Sequence, residues 1–349
     1  MVHPISEYAR LPDGRKIYVR RWEAAGPRER GALFIAHGMG ETADYYDEFA
    51  AAATERGFSV VLPEMRGHGR TAGNIRSPDY RRTGGNPGPD SLHGMAQDMC
   101  VFIAGRLRQL PGGPIFLLGH SMGAVVAQLL VGAHGDRLAG LILTGVPSSR
   151  AVPALLPVVE REIVRNGSRA VSRDTFDAMF GHANDPFAPV VTPLDWITGD
   201  REMARQSLAM PYTAVPFTNE FYRDFLLAMR RVDDPAAWDK TPRRLPICLM
   251  GGGCDVVGEQ GAALRRKQQM LRSGDPTAGG GGVHFGLDGI AFKCGKFLSG
   301  RLCASGRKAV TPPKTSSDVS ASGIRDENAV PALVRLGNLP LGSMGEKMG

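Results

Sequence analysis

Short apolar runs separated by segments of helix length recur as far as residue 250, and this alternation limits the fold more than any other feature of the chain. Runs at 32–36, 58–62, 115–118, 141–143 and 247–250 read as strands, and they are continuously apolar rather than alternating. Strands covered by helices on both faces look like this, so the pattern predicts an α/β chain with a doubly wound, mostly parallel sheet. The segment 16–22 alternates and predicts an antiparallel edge strand. Helices are predicted at 45–56, ended by Gly57, and at 92–110, ended by Pro111-Gly112-Gly113. A third, at 123–133, is apolar nearly all round and belongs in the interior.

The chain has 349 residues, 42% hydrophobic and 22% charged, enough for one large core with surplus chain as an insertion or tail. After Gly145-Val146-Pro147-Ser148 the rhythm breaks into helical, Pro-interrupted, aromatic sequence. The expected organisation is a core over 1–148, an insertion over 149–238, a second core part over 239–299 and a disordered tail over 300–349. That tail is rich in Ser, Gly, Pro, Lys and Arg and can bury too little to offset the entropy of ordering. No apolar run approaches the ~20 residues of a membrane span. The start, Met1 to Tyr8, has no basic segment followed by an apolar one, so a cytoplasmic protein is expected. Five scattered cysteines predict neither a disulfide framework nor a structural zinc site. The net charge of +7 is spread along the chain without a recognition motif, which argues against a nucleic-acid partner.

Directly after the strand at 115–118 comes Gly119-His120-Ser121-Met122-Gly123, leading into the buried helix. A serine on so sharp a strand-to-helix turn is lifted above the sheet edge, and glycines on both sides are needed because a Cβ would clash. In acyl transfer the oxyanion needs two preorganised donors, one just after the nucleophile and one from the loop after an early strand. The amides of Met122 and of Met39, in His37-Gly38-Met39-Gly40, are the candidates. His37 itself reads as a loop histidine satisfied by backbone groups. A serine needs a base oriented by a carboxylate, in chain order Ser, Asp or Glu, His. Of eight histidines only His284 follows a plausible acid. Asp255, across a glycine loop from the strand at 247–250, is that acid, with Asp275 and then Asp239 as alternatives.

Taken in order, His37-Gly38-Met39-Gly40-Glu41, Glu64-Met65-Arg66-Gly67-His68-Gly69-Arg70, Gly119 to Gly123 and Asp255-Val256-Val257-Gly258 resemble the α/β-hydrolase fold. Within it the chain is similar to monoacylglycerol lipases and lysophospholipases over about 8–273, and Asp195 to Asp200 resembles a motif of that family's cap. The resemblance implies Ser121 as nucleophile, Asp255 as acid, Met39 and Met122 as oxyanion amides, and 149–238 as a helical lid. Among the lid's aromatics, Phe180, Trp196, Phe217 and Phe221 are the candidates for an acyl pocket. The implied activity is hydrolysis of monoacylglycerol or lysophospholipid esters, without cofactor or metal. The implied partners are a small lipid or ester substrate and a membrane or micelle touched by the cap. The alternatives are an esterase or peptidase of another α/β-hydrolase branch and a non-catalytic binding protein with an impaired triad. His68 and His120 are taken as structural.

From about residue 274 the sequence departs from that family. Asp275-Pro276-Thr277-Ala278 and four glycines stand where a last strand belongs, which predicts that His284 sits on a loop without one. His284 also arrives early and lacks an acidic neighbour. An altered reading frame or an exchanged C-terminal segment would leave this pattern.

Overall fold

The computed structural model describes residues 3–26, 28–213, 215–239 and 241–273, and the backbone of 283–287. The elements in chain order are β1 (Ile5–Arg10), β2 (Lys16–Trp22), β3 (Gly31–Ala36), α1 (Asp47–Glu55), β4 (Phe58–Pro63), α2 (Tyr80–Thr83), α3 (Ser91–Gln109), β5 (Ile115–His120) and α4 (Met122–His134). They continue with β6 (Gly140–Thr144), α5 (Val152–Asn166), α6 (Arg173–Phe180), α7 (Arg201–Ala209), α8 (Asn219–Val232), β7 (Ile247–Gly251), α9 (Ala262–Ser273) and β8 (Val283–Leu287). The sheet order is β1-β2-β4-β3-β5-β6-β7-β8. β1, β2 and β4 pair antiparallel, and β4 through β8 run parallel.

All six residues of β3 are buried because the sheet is covered on both faces. Ala32, Phe34 and Ala36 join a core with α3, α4 and α8, while Leu33 and Ile35 pack against Phe49, Ala50 and Ala53 of α1. The chain leaves β3 toward β4 on one side and returns past it to β5 on the other. This reversal is the topological switch point of a doubly wound sheet, where the carboxyl ends of neighbouring strands open a crevice. Ala36 of β3 lies opposite Gly119 of β5, so the loops after these strands start side by side.

Two strands differ from the sequence expectation. The segment 16–22 is a strand but not the edge, because β1 pairs outside it with Tyr8 opposite Tyr18. β1 is exposed along nearly its whole length and has no apolar run to announce it; the free backbone edge of β2 supplies its partners. The second correction concerns β8. Val283–Leu287 forms a parallel strand on β7, so His284 is on a strand and not on a loop. Backbone pairing to an open edge overrides the poor strand propensity of the glycines before it. Asp275 and the tail at 300–349 lie outside the described residues.

Between β6 and β7 the chain forms α5 to α8. α8 presents Phe221, Tyr222, Phe225, Leu226, Met229 and Val232 as one buried stripe at helical spacing and packs on α3, α4 and α5. Its first turn is capped by Thr218, whose Oγ accepts from the Phe221 amide at 3.3 Å. Among the described residues no helix is long and apolar enough to cross a membrane.

Candidate active site

β5 ends at His120 and α4 begins at Met122, which leaves Ser121 alone to turn the chain. It does so at φ 52° and ψ −116°, a conformation costing a non-glycine residue roughly 1–3 kcal/mol. The turn is held by the Ser121 amide, which donates to Thr144 O at 2.9 Å, and by the Ala124 amide, which donates to Ser121 O at 2.9 Å. Both flanking glycines are sterically required. A Cβ on Gly119 would stand 2.4 Å from Gly123 O, and one on Gly123 would stand 1.9 Å from Ala36 O and 2.6 Å from His37 O. The second contact also brings the loop after β3 against the first turn of α4.

Met122 is the first residue of α4, so its amide has no carbonyl a turn earlier in the helix to bond to. The Met39 amide sits in the adjoining loop, and neither amide donates to another described backbone carbonyl outside the regular elements. Amides in such positions, at a helix start and in the loop after a neighbouring strand, are the kind of donor an oxyanion site uses. His37 is fully buried with both ring nitrogens on backbone groups. Nε2 accepts from the Met65 amide at 2.9 Å, which places the proton on Nδ1, 2.8 Å from Gly38 O. Burial pushes its pKa down to about 3, so the ring is neutral. His68 is also buried and, again by burial, lowered to about 4. Its ring meets His37 at 5.0 Å and Phe217 at 4.8 Å.

Asp255 lies four residues past the end of β7, half-buried. Its Oδ1 accepts from the amides of Val257 at 3.0 Å and Gly258 at 3.1 Å, which leaves Oδ2 for a further donor. The loop is tied to the end of β6 by the Ser148 amide on Val257 O at 3.0 Å and by the Ser148 hydroxyl on Glu259 Oε1 at 2.6 Å. Asp255 and Ser121 thus follow strands of the same sheet at the same edge. Asp239 follows a short helical turn at Pro235–Trp238, before β7 rather than at that edge.

The register of β8 places His284 differently. His120 continues across the sheet through Thr144 and Met250 to Gly286. His284 lies opposite Cys248, in the row of Ile142 and Leu118, two residues before that level. Two residues of strand are about 7 Å.

The four aromatic candidates separate into two pairs. Phe217 and Phe221 stack at 4.4 Å, buried in the main core against His68. Phe180 stacks on Trp196 at 5.7 Å, both half-buried. Tyr222 touches both pairs, at 6.4 Å from Phe180 and 6.3 Å from Phe217.

Glu41 and Glu64 lie within the family-like motifs, and the sequence assigns neither a role. Glu64 is fully buried, accepts from the Ala43 and Arg70 amides and pairs with the Arg70 guanidinium at 2.7 Å. Arg70 reaches on to Asp44 at 2.7 Å, so the network fixes the loops after β3 and β4 against each other. Glu41 binds the Gly38 amide and the Tyr46 hydroxyl, each at 2.7 Å. The visible signal was a carboxylate three residues after a glycine, which only a tight turn makes meaningful. Among the described residues no group of three or more His, Cys, Asp and Glu is placed to hold a metal ion.

A family model described as serine aminopeptidase, S33, matches residues 27–277. Human monoglyceride lipase is 28% identical over 131 residues, which cover 38% of this chain and 39% of that protein. A monoglyceride lipase homolog of Monkeypox virus is 28% identical over 185 residues, 50% of this chain and 62% of that protein. The matched stretches thus span less than two thirds of either relative. Among solved structures, a thermostable carboxyl esterase from Bacillus coagulans aligns with a TM-score of 0.70 at 24% identity, covering 80% of this chain and 88% of that one. A soluble variant of monoglyceride lipase from Saccharomyces cerevisiae aligns with a TM-score of 0.60 at 18% identity, covering 85% and 92%. These two likenesses are of fold.

Proposed function

The chain belongs to the α/β-hydrolases, in the family described as serine aminopeptidase, S33, and on that premise we propose that it is a serine hydrolase of carboxylic esters, acting on monoacylglycerols or lysophospholipids. The observation that carries this reading is the elbow: Ser121 at φ 52° between two glycines that admit no Cβ, at the switch point of the sheet.

Ser121 Oγ attacks the acyl carbonyl while His284 takes its proton and Asp255 orients the imidazole. The amides of Met39 and Met122 stabilise the oxyanion. As the tetrahedral intermediate collapses, the imidazolium returns the proton to the leaving alkoxide, releasing glycerol or its phosphoester. Water, deprotonated by the same base, then attacks the acyl-enzyme and releases the fatty acid and Ser121. The acyl chain lies against Phe180 and Trp196, since Phe217 and Phe221 are taken up by the core, under a lid formed by 149–238 whose outer face meets the membrane or micelle. The monoglyceride lipases among the relatives support this substrate class. Free Cys100, Cys248 and Cys254 fit a reducing, cytoplasmic location.

The test joins fluorophosphonate labelling at Ser121 to turnover of p-nitrophenyl butyrate and of a monoacylglycerol. Labelling and turnover of both are expected; hydrolysis of an aminoacyl amide instead would turn the reading to a peptidase. The register of His284, short of the catalytic edge, favours a second reading in which the chain binds lipid esters without turning them over. Ligand binding without labelling or turnover would establish that reading in place of the first.

A further inference from the structure

The turn after β3 is pinned on two successive peptides. The Glu41 amide donates to Gly38 O at 3.3 Å and Gly40 has φ 73°, so residues 38–41 form a reverse turn with Met39 at its second position. Gly38 O is also 2.8 Å from His37 Nδ1. In a trans peptide the carbonyl oxygen and the next N–H point in opposite directions, so holding Gly38 O sets the direction of the Met39 N–H. The preceding peptide is held from its other side, by the Gly38 N–H on Glu41 Oε2 at 2.7 Å. The same oxygen accepts from Tyr46 OH at 2.7 Å, while Glu41 Oε1 lies 3.5 Å from Nε2 of His120, the residue before Ser121. The carboxylate lies directly on the turn, since a Cβ on Gly38 would come within 2.9 Å of Glu41 Cδ.

We propose that Glu41 is a positioning residue, which with His37 clamps this turn and fixes the Met39 amide as an oxyanion donor beside Ser121. The role rests on the ester-hydrolase reading. Glu41 touches no reacting atom; its carboxylate holds the peptide before Gly38, and His37 with the Glu41 backbone amide holds Gly38 O, so the Met39 peptide between them turns only if the clamp on its neighbour gives way. An oxyanion donor stabilises the transition state only if it is in place beforehand, so the effect falls on kcat and not on substrate binding.

The experiment compares wild type with Glu41→Ala, Glu41→Asp and Glu41→Gln on p-nitrophenyl butyrate. Glu41→Ala is expected to lower kcat about 10²-fold with KM within about twofold, and to weaken binding of an alkyl boronic acid, a tetrahedral mimic, by a similar factor. Glu41→Gln keeps an acceptor for the Gly38 and Tyr46 donors and is expected to recover to within about tenfold of wild type. Amide hydrogen exchange at Gly38 should quicken in Glu41→Ala and be restored in Glu41→Gln. If Glu41→Ala does not fold, Glu41→Asp, whose carboxylate is one methylene short, should show the same selective loss of kcat. An active wild type with an equally active Glu41→Ala, or a rise in KM at constant kcat, overturns the clamp alone. A wild type that neither turns over the ester nor reacts with a fluorophosphonate overturns the hydrolase reading and the clamp with it.

Discussion

The two sides of the sheet's carboxyl edge are built differently. Around Ser121 each backbone position is fixed by several elements: α4 abuts the end of β3, the loop after β3 is tied by Glu41 and His37, and Glu64 with Arg70 locks the loop after β4. Around Asp255 the carboxylate is held by amides two and three residues on, and among the described strands β8 neighbours β7 alone. The Ser121 side is over-determined by close packing, whereas the Asp255 side depends on one loop and one strand register. A fold can thus preorganise a nucleophile and its oxyanion donors independently of the base.

The largest effect expected from this contrast is at Ser121. Ser121→Ala should remove about 10⁶-fold in kcat with the fold unchanged by circular dichroism. A variant retaining a tenth of the activity would place the nucleophile elsewhere. On the acid side, Asp255→Asn should cost about 10⁴-fold in kcat and His284→Ala should abolish turnover, both read under saturating p-nitrophenyl butyrate. Strong activity surviving His284→Ala would assign the base to another residue.

Smaller effects test the packing itself. Gly123→Ala, whose Cβ would stand 1.9 Å from Ala36 O, should cost more than about 3 kcal/mol in chemical denaturation. On the acid side Gly253→Ala meets nothing within 4 Å and should change stability by less than about 0.5 kcal/mol. Equal costs at the two glycines would refute the contrast.

Acid should attack the nucleophile side. Burial lowers His37 to about 3 and His68 to about 4 from an ordinary 6.5. Below pH 6.5 the unfolded chain therefore binds more protons than the folded one, so stability present above pH 6.5 is lost as the pH falls toward 4. The loss should be on the order of 2 to 3 kcal/mol for each imidazole, measured as the urea midpoint against pH. His68→Leu should flatten that limb; an unchanged profile would mean that the ring is not held neutral.

The parallel core is legible in the residues alone, since strands buried on both faces must be continuously apolar, and so is the elbow, since a reversal at Ser121 demands glycines at 119 and 123. These are local requirements, and local sequence carries them. It left unannounced β1, an exposed strand recruited by the edge of β2, and it misjudged β8, whose existence depends on the open edge of β7. Glu41 was visible as a residue but not as a clamp, because its partners converge only when the loop after β3 closes into a turn against His120. Which side chains meet across the loops, and at what level His284 crosses the sheet, are matters of register and packing between distant segments, which no local stretch of residues encodes.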